Sequence, residues 1–423
     1  MLQRQYIEGF LKIINYATEK IEGKHPKPPY EAHIRDRRFE HESWCLNVYF
    51  DFLKQGYLMN AEWLDKIVSH AENTDKKTKD LAEFFIRQII DAIAPTNFLF
   101  TNPQALQESI DTNVTSLVKG MDNLLEDLEK YKNIFDITRT DFTAFKVGDN
   151  VACTPGQVVF RNDFMELIYY TPTKKQVHDI PLLIIPPWIN KYYILDLSPK
   201  NSFIKWLVNQ DIPVFLISWV NPKKNFKDLE LEDYLNKAAM VAIDFILKEF
   251  KKEKLNLLAY CVGGTLTAML LAYLAKHKKE HIIGTTTFFA TLMDFTEAGD
   301  VSVFIDEEQI RRLEKCSDRK GYFDGELMSL TFSTLKANDM IWFFIVNNYL
   351  MGKEPLPFDL LYWNADSTRF PAKMHSYYLR NMYLENNLIK PNKIVVNNTP
   401  LDLREIKTPC YFVAAHKDHI TPW

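Results

Sequence analysis

Two patterns of apolar positions divide the chain. Up to about residue 145 they recur with the 3.6-residue period of helices. Leu46, Tyr49, Phe50, Leu53, Tyr57 and Leu58, for example, line one face of a helix predicted over 46–68. The charged stretch 75–80 reads as solvated chain before the next helix, and 97–103 (Asn-Phe-Leu-Phe-Thr-Asn-Pro) as a turn. From about 146 short apolar runs take over. Val158–Phe160 and Met165–Tyr170 predict paired strands, while Pro181–Pro186 and Pro213–Trp219 are continuously apolar, the mark of strands buried on both faces. A helical pattern over 232–250 puts Leu235, Ala238, Ala239, Ala242, Phe245 and Ile246 on one face. Further strands are predicted at 255–260 and 282–289. Strands alternating with helices predict a mostly parallel, doubly wound sheet.

Residues 293–405 interrupt the alternation with an insert rich in aromatics, among them Trp342-Phe343-Phe344, Tyr362-Trp363, Tyr377-Tyr378 and Tyr383. Such clusters are more often packing than ligand contact, yet an apolar insert between two core strands can also cap a site. The sheet resumes at 408–415, and His416-Lys417-Asp418-His419 sits at the carboxyl end of that strand, where ligands of open α/β sheets bind. The expected organisation is a helical N-terminal domain (1–145), an α/β core (146–292 and 406–423) and a cap insert (293–405).

Composition narrows the class. The chain has 423 residues, 47% hydrophobic and 25% charged, as in ordinary globular proteins. A net charge of −4 gives no electrostatic case for nucleic-acid binding. The longest apolar candidate for a membrane span, 341–346, is broken by Asn347-Asn348. Five scattered cysteines (45, 153, 261, 316 and 410) form neither a disulfide framework nor a metal pair, which fits a reducing cytoplasm and predicts no metal.

The chemistry concentrates at 255–265, Leu-Asn-Leu-Leu-Ala-Tyr-Cys-Val-Gly-Gly-Thr. Ala-x-Cys-x-Gly at 259–263 is a variant of the G-x-S-x-G nucleophile elbow, with Cys261 in place of serine. A cysteine after an apolar strand is more often a small buried hydrophobe. Gly263-Gly264, followed by Leu266, Met269, Leu270, Tyr273 and Leu274 at helical spacing, tip the reading toward a nucleophile. Thiol chemistry points to thioesters, because a thiolate takes an acyl group from another thiol at almost no free-energy cost. In an α/β-hydrolase-like fold the acid follows the nucleophile in the chain, and Asp418 stands in the loop after a late strand. A helix cap is the plainer role for that aspartate. The oxyanion donors are then the backbone N–H of Val262 and one from the 186–193 loop, assigned to Ile189.

At this density of motifs the chain resembles the polyhydroxyalkanoate synthases. The resemblance rests on 186–197 (Pro-Pro-Trp-Ile-Asn-Lys-Tyr-Tyr-Ile-Leu-Asp-Leu), 214–219, 260–265, 362–368 (Tyr-Trp-Asn-Ala-Asp-Ser-Thr) and 417–423 (Lys-Asp-His-Ile-Thr-Pro-Trp). Asp36-Arg37-Arg38-Phe39 and 95–103 carry it into the helical part, so that it covers roughly 35–423. It is nearest the single-subunit type acting on short-chain substrates. The resemblance implies a poly-3-hydroxybutyrate-forming acyltransferase that takes (R)-3-hydroxyacyl-CoA as substrate, without a further cofactor. It implies that Cys261 carries the acyl group and the growing chain as thioesters, with Asp418 as the catalytic aspartate. It also implies association with the polyester granule surface and a homodimer through the cap.

The family's catalytic histidine lies well downstream of the aspartate motif. His419 is adjacent to Asp418 and His416 two residues before it, so neither fits that place; the other eight (25, 33, 41, 70, 178, 277, 281 and 375) lack motif context and read mostly as surface residues. The expectation is a synthase shortened at its C-terminus, with an unpaired sheet edge and low solubility unless a partner, such as a C-terminal fragment in trans, covers it. Three readings follow: a working synthase, an inactive or split fragment, and a thiol-dependent hydrolase of the same fold.

Overall fold

The apolar runs of the second pattern pair into one seven-stranded sheet in the computed structural model, which describes residues 2–33, 36–71, 74–131, 136–174 and 176–423. The strands are β1 (Gln157–Arg161), β2 (Met165–Tyr170), β3 (Leu182–Ile185), β4 (Val214–Trp219), β5 (Leu255–Tyr260), β6 (Ile283–Phe289) and β7 (Cys410–Val413). Their spatial order is β1-β2-β4-β3-β5-β6-β7. β1 and β2 form the antiparallel pair expected, β2 runs antiparallel to β4, and the remaining neighbours are parallel. The chain steps from β3 outward to β4 and then returns to the other side of β3 to form β5. By the rule for open α/β sheets, that reversal makes the carboxyl ends of β3 and β5 the expected place for a ligand.

Strand side chains alternate between two cores. Leu183, Ile185, Phe215, Ile217, Leu257 and Ala259 face the helical stretch 231–249 and the helix that follows β5, while Ile184, Val214, Leu216 and Leu258 face the helix Phe203–Asn209. This period of two is why the runs are continuously apolar: each face is covered. β7 differs. It pairs with β6, but its four residues are exposed.

The chain packs as two units, Met1–Asp141 with Leu330–Leu356 and Phe142–Ser329 with Pro357–Trp423. The segment 330–356, which the apolar pattern groups with the cap, therefore packs with the helical unit. Side-chain amides explain it. Asn338 donates to Asp91 Oδ1 at 2.6 Å and accepts from Arg38 at 3.0 Å, and Asn348 donates to the Thr138 carbonyl at 2.8 Å. Gly120 is required there too, because a Cβ would lie 1.9 Å from the Tyr349 carbonyl oxygen.

Within the helical unit the predicted 46–68 helix runs Val48–Ser69, with Phe50 and Tyr57 buried as read. Leu46 and Tyr49 instead face solvent, Leu46 at 73% exposure, and Asp51, Lys54 and Gln55 are buried. Polar partners override the apolar period: Tyr16 donates to Asp51 at 2.7 Å, Lys20 also donates to it, and Lys54 pairs with it at 3.3 Å. The stretch at 75–80 is a helix start, capped by Asp75 accepting from the Thr78 N–H at 3.0 Å. The 97–103 turn ends in Asn102, which caps the next helix through the Gln104 and Ala105 N–H groups.

Candidate active site

β5 ends at Tyr260, and the helix Val262–Lys276 begins one residue after Cys261. The intervening Cys261 has φ +51° and ψ −128°, a backbone region that side chains other than glycine rarely adopt. Three hydrogen bonds hold it there. Its N–H donates to the Phe289 carbonyl at 3.0 Å, and its carbonyl accepts from Gly264 at 2.9 Å and Thr265 at 3.3 Å. Gly263 is obligatory at this turn: a Cβ would lie 2.4 Å from the Ile185 carbonyl oxygen. The same proximity sets the elbow against the end of β3, from which the 186–193 loop departs.

The elbow helix is buried almost all round, more completely than its apolar spacing implies, because it lies against the sheet on one side and is covered on others by the segments 235–239, 280–282 and 403–405. Burial therefore dominates the thiol. It pushes Cys261 up to about 11, against a hydrogen bond from the Val262 N–H that stabilises the thiolate, and the negative charge of Asp418 raises it further. The residue keeps a partial opening to solvent. A thiol near 11 is protonated at neutral pH, so nucleophilic attack requires a base.

Asp418 lies close enough to Cys261 for their charges to interact. Burial raises the carboxyl, but this is outweighed by hydrogen bonds from the Thr421 and Ile420 N–H groups, both at 2.9 Å, and from the Thr421 hydroxyl at 2.8 Å. The net shift is downward, which keeps a carboxylate at the carboxyl end of β7. His416 stacks on Trp423 with ring centroids 5.8 Å apart, and the His419 carbonyl accepts from the Asp300 N–H at 2.8 Å. The structure thus brings together Cys261, Val262 and Asp418. It places Ile189 on the loop after β3, three residues beyond the Pro186 carbonyl that the Trp219 indole holds at 2.8 Å.

Three phenols complete the surroundings. Tyr260, Tyr378 and Tyr383 are lifted above their ordinary range, chiefly by burial and further by the charge of Cys261. The Tyr378 hydroxyl lies 3.3 Å from the Thr265 hydroxyl, and its ring packs edge-on against Trp188 and Phe295. The Tyr260 hydroxyl is buried without a hydrogen-bond partner. The sequence assigned none of them a role: spacing within an aromatic-rich insert does not separate rings that face a site (Tyr378, Tyr383) from rings that pack, and Tyr260 read only as the end of an apolar strand. Among the eight histidines without motif context, His375 departs from the surface reading: it is buried against Phe323 and Phe370. Among the described residues no group of three His, Cys, Asp or Glu stands together to hold a metal ion. Nor is any described helix long and apolar enough to cross a membrane.

A parallel sheet, a reversal in strand order and a nucleophile candidate at a strained strand-to-helix turn define the α/β-hydrolase class. Its family model matches residues 181–423. The family model described as the poly-beta-hydroxybutyrate polymerase (PhaC) N-terminus matches residues 35–207. A poly(3-hydroxyalkanoate) polymerase of Methylorubrum extorquens is 45% identical over 98% of this chain and 68% of its own length. A poly(3-hydroxyalkanoate) polymerase subunit PhaC of Cupriavidus necator is 39% identical over 100% of this chain and 70% of its own. The chain belongs to the poly(3-hydroxyalkanoate) polymerase family, and spans about two thirds of the length of these relatives. Among solved structures, hypothetical protein PA2218 of Pseudomonas aeruginosa covers 65% of the chain and 81% of its own, at 12% identity and TM-score 0.37, too distant to add to the assignment.

Proposed function

We propose that the chain transfers (R)-3-hydroxyacyl groups, 3-hydroxybutyryl foremost, from CoA to a growing polyester through a thioester on Cys261. The observation that carries this reading is Cys261 on the strained elbow, beside the Val262 N–H and the Asp418 carboxylate, in a chain of this family. The thiol first loses its proton to a base. The thiolate then attacks the CoA thioester carbonyl, and the oxyanion that develops takes hydrogen bonds from the Val262 and Ile189 N–H groups. Collapse expels the CoA thiolate, which takes up a proton. In the second step the 3-hydroxyl of another hydroxyacyl thioester gives its proton to the base and attacks the enzyme thioester. The C–S bond breaks as the oxoester forms, and the leaving cysteine thiolate takes up that proton. Thioester-to-oxoester exchange is downhill, which drives elongation. Asp418, kept ionised, is suited to orient and stabilise a cationic base. The CoA thioester is substrate rather than cofactor; the apolar product favours a granule surface, and the family resemblance is what supports the cytoplasm and a homodimer.

The test is to incubate the full chain with 3-hydroxybutyryl-CoA, following CoA release and intact mass. Release with hydroxybutyryl increments on Cys261, both lost in Cys261→Ala, is the expected result. Release unchanged in that variant sinks the proposal, and free 3-hydroxybutyrate without polyester makes the chain a hydrolase.

A further inference from the structure

The motif at 362–368 has no role in the mechanism above, yet the structure ties it repeatedly to the loop after β3. The Trp363 indole donates to the Lys191 carbonyl at 2.8 Å, and the Tyr193 hydroxyl donates to Asp366 at 2.7 Å. Asn190 and Ser367 form an isolated antiparallel bridge. Partners so far apart in sequence can meet only in the folded chain.

Thr368 makes the most telling contacts. Its hydroxyl donates to the Trp188 carbonyl, and its backbone N–H donates to the Ile189 carbonyl at 3.1 Å. The residue is 3% exposed, so water does not compete for these bonds. The Trp188 carbonyl and the Ile189 N–H belong to one planar peptide group and point in opposite directions. Anchoring that carbonyl therefore aims the Ile189 N–H. Anchoring the next carbonyl removes the remaining freedom of rotation about Ile189. Both peptides that flank the candidate oxyanion donor are held by one buried threonine.

We propose that Thr368 is a positioning residue for acyl transfer, fixing the Ile189 N–H where the oxyanion develops, with the Tyr193–Asp366 bond steadying the far end of the loop. This rests on the acyl-transfer reading above. An oxyanion donor contributes only if held in place before the reaction, so a loosened loop lowers the rate of the chemical step and leaves substrate capture intact.

The experiment compares Thr368→Val, which removes the hydroxyl at nearly constant shape, with Thr368→Ser, which keeps it, in the full chain. Three quantities are read: acylation of Cys261 by 3-hydroxybutyryl-CoA, its alkylation by iodoacetamide, and amide hydrogen exchange over 186–195 and 255–270. Alkylation forms no oxyanion, so it reports the thiol alone. Thr368→Val is expected to slow saturated acylation by about 10- to 100-fold, with half-saturation within about twofold. Alkylation and exchange over 255–270 stay as in the parent, exchange over 186–195 rises, and Thr368→Ser restores the rate. Tyr193→Phe gives the same pattern at about threefold, and decides the matter if Thr368→Val does not fold. Acylation at the parent rate, or acylation and alkylation falling together, overturns the proposal. If the parent chain is alkylated but never acylated, the acyl-transfer reading fails instead. Exchange over 186–195 then judges the anchoring, and unchanged exchange in Thr368→Val overturns it.

Discussion

Asp51 in the helical unit and Cys261 in the α/β unit are both ionisable groups enclosed by protein, and their surroundings treat them oppositely. Asp51 is met by the Tyr16 hydroxyl and by Lys20 and Lys54, so its charge is neutralised where it lies. Cys261 receives one backbone N–H and the repulsion of Asp418, and its thiolate is disfavoured. A compensated charge ties elements together. An uncompensated site on a strained backbone keeps its group in the neutral form, so that the sulfur reacts only once a base takes its proton.

The largest effect expected to sharpen this contrast is at Asp51. Asp51→Ala leaves two lysines facing a buried gap and should cost about 3–5 kcal/mol, read from urea unfolding of the full chain. A loss below 1 kcal/mol would mean water already screens the cluster. His375 provides an intermediate case in the α/β unit. It stacks on Phe323 at 4.2 Å, its Nε2 lacks a partner, and burial lowers it from 6.5 to about 4. The unfolded chain thus takes up the proton first as pH falls. Stability is highest above about 6.5, declines by about 3 kcal/mol toward pH 4, and levels below that. Subtracting the pH-dependent unfolding of His375→Leu from that of the parent isolates the slope, and a flat difference refutes it.

Alkylation of Cys261 by iodoacetamide, followed by peptide mass, should accelerate about tenfold per pH unit from 7 to 10. Levelling near 8.5 would show that a neighbouring group stabilises the thiolate after all. The smallest effect is the reverse of the Asp51 loss. Cys261→Gly relieves the positive φ and should raise stability by about 1 kcal/mol while abolishing acylation. A destabilised Cys261→Gly chain would place packing of the sulfur above backbone strain.

Much of this was legible in the residues. Continuous apolar runs located β3 and β4 because strands covered on both faces need no polar positions. The elbow was legible because Gly263 has no alternative: backbone meets backbone there. Period alone misplaced Leu46 and Tyr49, since it weighs apolar area and is blind to a hydrogen-bonded Asp51. The aromatic insert was read as one cap, but segment 330–356 packs with the helical unit through Asn338 and Asn348. Such amide contacts leave no periodic trace.

Local chemistry, then, was determined by the sequence itself: a small-residue turn after an apolar strand can only place its cysteine at a helix start, and hydrophobic period sets which segments are strands. Tertiary structure alone decided the environment. That the thiol is pushed to about 11, that three phenols surround it, and that Thr368 grips the peptides around Ile189 all depend on residues far apart in the chain. Burial and hydrogen-bond direction are properties of distance in space, which only the folded chain supplies.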